Sequence, residues 1–348
     1  MSQDTELLVT EVLKPITHPG TNKSIINSIS KIIIRNNAAF FTIYADTSSA
    51  KELENIKVVC HDKLKERCKF EKIAITLSER TENVETIQPA KQAKVKYSVP
   101  NVGKIIVVAS GKGGVGKSTV AFNLAVTLGE LGYKTGLVDA DIHGPSLPRL
   151  AGLKQKPAQE DNYILPLEKF GVEMMSVGFL VNEEDALIWR GPMTTKMLYQ
   201  LLMMTKWGKL DFLIVDTPPG TGDVHLSLAE NFVLNGVVIV STPQELALAD
   251  VKKGISMFNK LNVPILGIIE NMSFFEDSAG IKHQIFGTNG VKKLASDMNI
   301  NLLAELPIDQ DITEASDKGK PIVFYKPDHA FTQAFAKIAK ELVNSAGQ

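Results

Sequence analysis

The residues with the most chemistry in them stand at 111–119 and read Gly-Lys-Gly-Gly-Val-Gly-Lys-Ser-Thr. Gly111, Gly116, Lys117 and Ser118 satisfy Gly-x-x-x-x-Gly-Lys-Ser, the spacing of a phosphate-binding loop. Gly111, Gly113, Gly114 and Gly116 let backbone N–H groups approach phosphate oxygens closely. A helix starting at that point adds partial positive charge. Val115 and Thr119 complete the cradle. Lys117 is expected to reach the β- and γ-phosphates, and the Ser118 hydroxyl to ligate Mg²⁺. Lys112 is a further cation inside the loop, one more than a phosphate loop needs for its own nucleotide.

Carboxylates and one amide close other apolar runs. Phe212-Leu-Ile-Val-Asp216 is a strand-like run ending in an acid, the pattern that aims a carboxylate at a Mg²⁺ shell. The glycine-rich turn Thr217-Pro-Pro-Gly-Thr-Gly222 follows, and such a turn can move with the γ-phosphate. Gly136-Leu-Val-Asp139-Ala-Asp141 ends another run with two carboxylates. In Glu270-Asn271-Met272 the Asn271 side chain offers one acceptor and two donors, which suits an adenine edge or, more simply, a strand-end cap. His143 precedes Gly144-Pro-Ser and reads as a turn residue. His18 and His61 have no sequence partners and read as surface polar residues. Seven residues separate Cys60 from Cys68, which fits no short metal-ligand spacing. Both read as ordinary buried or half-buried thiols.

These residues need a frame to bring them together. Apolar β-branched runs at 105–109, 135–139, 172–177, 212–216, 237–241, 265–270 and 302–306 alternate with helical stretches such as 193–205, 245–261 and 291–298. That order predicts an α/β fold with a mainly parallel, doubly wound sheet, binding ligands at the strand carboxyl ends. The last helix, 328–342, spaces its apolar residues for packing on the sheet rather than on a membrane. A small α+β domain is expected at 1–78, with a helix at 5–13, a turn at 17–20 and strands at 25–34 and 39–45. Asn36-Asn37 is the hairpin turn, a helix capped by Ser48 or Ser49 spans 49–67, and a strand ends the unit at 70–77. Residues 79–99 read as a polar linker, and 100–348 as the nucleotide-binding domain.

The totals narrow the field. With 348 residues the chain can hold two domains, and 44% hydrophobic with 22% charged residues is ordinary for a water-soluble chain. A net charge of −1 gives no global field for nucleic acid or an anionic membrane. No apolar run approaches the ~18 residues of a spanning helix, and the first residues lack a targeting core. The expectation is a cytoplasmic protein with no nucleic-acid or membrane partner.

Lys-Gly-Gly-x-Gly-Lys-Ser resembles the deviant phosphate loop of the MinD/ParA/nitrogenase-iron-protein class. Asp139-Ala-Asp-Ile-His-Gly-Pro-Ser146, Trp189-Arg-Gly-Pro-Met193, the 210–223 segment, Ser241-Thr-Pro-Gln244 and Glu270-Asn-Met-Ser273 carry a closer resemblance to the Mrp/ApbC iron–sulfur cluster carrier ATPases. It runs from about 104 to 325, and the N-terminal unit is similar to the small assembly-factor domain that often precedes such ATPases. The resemblance implies a P-loop NTPase fold and a homodimer that binds ATP·Mg²⁺ between subunits and hydrolyses it slowly. It implies delivery to apo iron–sulfur client proteins or assembly factors. Lys112 would contact the nucleotide of the other subunit, and Asp141 would orient the attacking water. Asp139 would support the metal shell formed with Ser118 and Asp216, while Asn271 and Pro307 would hold the base. The family pools Cys-x-x-Cys thiolates from two subunits around a [4Fe–4S] cluster, shortly after Asn-Met-Ser. Here that stretch is Ser273-Phe-Phe-Glu-Asp-Ser-Ala-Gly280, without cysteine. Glu276 and Asp277 are hard oxygen donors and poor substitutes. A cluster held through Cys60 or Cys68, ligands from a partner, or a scaffold role without carriage remain open, as does a ParA/MinD-type nucleotide switch.

Overall fold

The computed structural model describes residues 2–18, 23–29, 32–35, 38–45, 50–68, 70, 72–79, 96–181 and 191–345. Two compact units, 1–92 and 93–348, divide the chain. Pro19-Gly20, Asn36-Asn37, Ser48-Ser49, Trp189-Arg190 and most of the expected linker lie outside the described residues. The linker's far end belongs to the large unit: Val99 is buried, and Tyr97 donates its N–H to the Asn231 carbonyl at 2.7 Å.

In the small unit, α1 (Ser2–Leu13) precedes β1 (Ile33–Arg35), β2 (Ala38–Ala45), α2 (Ala50–Cys68) and β3 (Lys72–Glu79). β1 and β2 pair antiparallel; β2 and β3 pair parallel across α2. Ala39, Phe41 and Ile43 alternate inward, as a half-buried strand requires. The strand expected at 25–34 is replaced at its start by a 3₁₀ turn, Ile25–Ser28. The Ile25 N–H is drawn to the Ile16 carbonyl at 2.7 Å and the Ser24 hydroxyl to Lys14 at 2.7 Å, which curls the segment so that Ile25 enters the core. His18 is likewise a correction. It is buried beside this turn rather than on the surface.

The large unit begins with β4 (Val102–Ser110), α3 (Lys117–Glu130), β5 (Thr135–Asp139) and α4 (Leu147–Ala151). Short strands β6 (Gln159–Glu160), β7 (Tyr163–Ile164) and β8 (Leu167–Lys169) lead to β9 (Val172–Ser176) and α5 (Gly191–Met203). Then come β10 (Leu210–Asp216), α6 (Asp223–Asn231), β11 (Gly236–Ser241), α7 (Glu245–Lys260) and β12 (Ile265–Glu270). A small hairpin, β13 (Phe275–Glu276) and β14 (Lys282–His283), precedes α8 (Gly290–Asp297) and β15 (Leu302–Glu305). α9 (Gln310–Asp317), α10 (Ile322–Tyr325) and α11 (Ala330–Ser345) end the chain.

The main sheet has the order β15-β12-β11-β4-β10-β5-β9-β8, parallel except for β8 against β9. From Ile105 to Ala109 β4 is an unbroken apolar run because both its faces are covered there. Ile106 and Val108 join the core under α3 and α11, while Ile105, Val107 and Ala109 join the one under α5 to α8. The last helix packs as its spacing predicts, with Phe331, Phe335, Ile338 and Leu342 buried against the sheet side. Among the described residues no helix is long and apolar enough to cross a membrane.

Candidate functional site

The chain reverses its winding direction at β4, which has β10 on one side and β11 on the other. Ligands of open α/β sheets bind at such a point, beyond the strand carboxyl ends. The parallel register aligns those ends: Asp216 lies opposite Val108 and Asp139, and Asp139 opposite Ser176. Motif residues far apart in sequence therefore emerge along one edge.

The phosphate loop connects β4 to α3. Gly116 takes a left-handed conformation (φ +81°), and a Cβ there would fall 2.2 Å from Asn271 Nδ2. Gly111 is pressed against the α7 backbone, where a Cβ would sit 2.8 Å from Val251 N. No residue with a side chain fits either place without displacing backbone or Asn271. Beyond the loop lies a cavity of about 260 Å³, lined by Lys112, Gly113 to Thr119, Asp141 and Pro219. The Lys117 ammonium is buried and bonds to Asp216 Oδ1 at 2.5 Å and to Ser118 Oγ at 3.2 Å. Burial pushes the Asp216 carboxyl above the usual range, and the Lys117 charge opposes that shift. Lys112 makes no ion pair among the described residues; its carbonyl accepts from Ser110 Oγ at 2.9 Å.

Asp139 and Asp141 divide their work. Asp139 is buried, and both its oxygens are engaged: Oδ1 accepts from Asp141 N (3.1 Å), and Oδ2 from Ser146 N (2.9 Å), Leu147 N (3.0 Å) and Ser176 Oγ (3.2 Å). Its bonds are thus spent on shaping the 141–147 loop. Burial, with the Asp216 charge second, raises its pKa. Asp141 faces the phosphate cavity, and its Oδ1 accepts from Gly144 N at 3.2 Å. That bond closes the turn on which His143 stands exposed.

A second cavity, about 360 Å³, adjoins the first through Gly116 and Thr119. Asn271, Met272, Phe286, Pro307 and Phe331 are among its walls. Asn271 is both a brace and a wall: its Nδ2 donates to the Val115 carbonyl at 2.8 Å, leaving one amide hydrogen and the oxygen. Deeper in the same strand end, Glu270 holds Ser273 Oγ (2.5 Å) and Val291 N (3.2 Å).

Some contributors carry no linear motif. Phe286 reaches its cavity only through a loop. His225 could have been placed from spacing, because 225, 228, 229 and 232 form one buried stripe of α6 and the residue after it. Asp309, Asp311 and His329 bring ligand atoms within 4.8 Å of one another. They are already paired internally: Asp309 caps α9 through Asp311 N at 2.7 Å, Lys326 holds Asp311, and His329 bonds Asp309 at 3.2 Å.

Among the described residues neither thiol lies in a group of three or more potential metal ligands. Cys60 is fully buried, and burial pushes its pKa to about 11; Cys68 is half-buried with its pKa also raised. The stretch where the resembled family has cysteines forms the β13–β14 hairpin. Asp277 closes it, bonding His283 Nε2 at 2.7 Å and the Ala279 and Ile281 N–H groups at 2.9 and 3.0 Å. The His283 bond, ahead of the backbone ones, lowers the Asp277 pKa.

A left-handed glycine loop, buried lysine and strand-end carboxylates on a doubly wound sheet define a P-loop NTPase. The family model described as "ParA: NUBPL iron-transfer P-loop NTPase" matches residues 101–343. An iron–sulfur cluster carrier protein of Aquifex aeolicus is 53% identical over 251 residues, 71% of this chain and 69% of that protein. One from Haemophilus influenzae is 39% identical over 349 residues, covering 98% and 92%. The solved nucleotide-binding protein of Archaeoglobus fulgidus, in complex with ADP, superposes with a TM-score of 0.58 at 38% identity, covering 68% of this chain and 93% of that one. The chain belongs to the iron–sulfur cluster carrier family of P-loop NTPases.

Proposed function

We propose that the chain is an ATP-binding, slowly ATP-hydrolysing homodimer that acts in iron–sulfur delivery without holding a cluster at the family's usual hairpin. The observation that carries the nucleotide half is the pair of adjoining cavities. Lys112, Lys117, Ser118 and Asp141 line one, Asn271 and Pro307 the other, and Gly116 and Thr119 both. A triphosphate fits across the 113–119 backbone, with adenine against Asn271 and Pro307. Lys117 shifts from Asp216 to the β/γ-phosphates, which frees Asp216 and Ser118 for Mg²⁺. Asp139 holds the loop that presents Asp141 to the attacking water. Phosphoryl transfer asks for little beyond positioning and charge neutralisation, so this set is sufficient for slow turnover.

That Lys112 makes no ion pair among the described residues supports a contribution to the nucleotide of a second subunit. The cargo half rests on family membership. Clients are apo iron–sulfur proteins or assembly factors, and the cytoplasm is the compartment proposed. Calorimetry tests the nucleotide assignment: Lys117→Ala is expected to abolish ATP binding, and undiminished affinity would overturn the cradle.

A further inference from the structure

One buried ionisable group lies beside the phosphate machinery and has no part in the scheme above. His225 sits in the first turn of α6, directly after the 217–222 loop, and is 0% exposed. Among the described residues neither Nδ1 nor Nε2 has a hydrogen-bond partner. A neutral imidazole has one donor and one acceptor, and here each has given up water for nothing. The ring meets Phe258 of α7 edge-on, with centroids 6.0 Å apart and planes at 74°. Burial, then the Lys117 ammonium, hold its pKa down to about 4, so the ring is neutral and within electrostatic reach of that lysine.

Leucine or phenylalanine would fill such a site without the orphaned atoms. The helix start brings no compensation, since α6 opens on Gly222 with no side-chain cap. The loop before it is tied to the phosphate side. Thr217 donates to the Val108 carbonyl from its N–H (3.2 Å) and hydroxyl (2.9 Å), and Gly220 N donates to the Ser110 carbonyl at 2.8 Å. A few residues thus connect the Lys117–Asp216 pair to the imidazole.

We propose that His225 is a positioning residue for ATP turnover, whose ring gains a hydrogen bond from the 217–222 loop when ATP draws Lys117 off Asp216. The inference rests on the ATP reading of the phosphate loop. A ligand shifts a conformational equilibrium only through interactions that differ between the two arrangements. A ring nitrogen orphaned in one arrangement and bonded in the other is such a difference, and it latches the start of α6 to nucleotide occupancy.

Full-length wild type, His225→Phe and His225→Gln are compared by ATP calorimetry, thermal melting, steady-state hydrolysis and amide exchange of α6 with a non-hydrolysable ATP analogue. His225→Phe is expected to melt higher without nucleotide and to lose roughly tenfold or more in kcat with KM and ATP affinity within about threefold. His225→Gln recovers part of that loss, and wild-type α6 gains exchange protection on adding the analogue. Wild-type kcat in His225→Phe, equal losses in both variants, or unchanged wild-type protection would each overturn the proposal. If His225→Phe does not fold, exchange in the wild type decides alone. ATP affinity absent from the wild type itself would instead remove the underlying nucleotide reading, and this inference with it.

Discussion

At the scale of single residues, His225 also sets a pH dependence. Its folded pKa of about 4 lies below the ordinary value of 6.5. Between those values the unfolded chain holds a proton that the folded chain lacks, so stability falls as pH drops from 6.5 towards 4. The gap is worth roughly 3 kcal/mol once both forms would be protonated. Urea midpoints at pH 7.5 and 4.5 check this: the wild type should lose more than His225→Phe over the interval, and parallel losses would contradict it. The residue illustrates what the linear chain shows and hides. Lys117 and Ser118 announce themselves because their chemistry needs glycines within a few positions. His225 has no such local partners, and its meaning comes from Phe258 and Lys117, which only the fold brings near. Asp139 was legible as an acid at a strand end. That its oxygens would be spent on Ser146, Leu147 and Ser176 was not, because those partners depend on how the following loop returns to the sheet.

At the scale of elements, the two ends of the 141–147 loop are tied to the Asp139 side chain. Asp139→Ala removes the acceptor for the Ser146 and Leu147 N–H groups and for the Ser176 hydroxyl. The expected cost is about 2–4 kcal/mol, since buried donors are left unmet. Because Asp141 rides on that loop, kcat should fall while ATP affinity changes little; chemical denaturation and calorimetry on the same preparation separate the two effects. The long strands and the helices between them were readable because each buries a continuous run or a helical stripe. The two-residue strands β6, β7, β13 and β14 were not, as two residues carry no period. The 25–34 segment misled for a related reason. Its isoleucines favour a strand, but the bonds of Ser24 and Ile25 to the chain around Lys14 and Ile16 outweigh that preference.

At the scale of the whole molecule, the pocket is proposed to be completed by a second copy. Lys112→Ala should leave ATP binding to the monomer largely intact and weaken ATP-dependent dimerisation. Size-exclusion chromatography with ATP reads this directly, and an unchanged profile would remove the role in trans. Cargo is tested by reconstitution with iron and sulfide, followed by counting both per chain. A Cys60→Ser/Cys68→Ser double variant should bind as little as the wild type, because Cys60 is fully buried and neither thiol joins a group of potential ligands among the described residues. A cluster lost only in the double variant would reverse that assignment.

The β13–β14 hairpin has its own consequence for handling and for the cell. Where the resembled family places thiolates, this chain closes the hairpin with a carboxylate and an imidazole, Asp277 and His283. Neither side chain can form a disulfide or climb the thiol oxidation ladder, so a thiol-directed oxidant has no cysteine to act on in this hairpin.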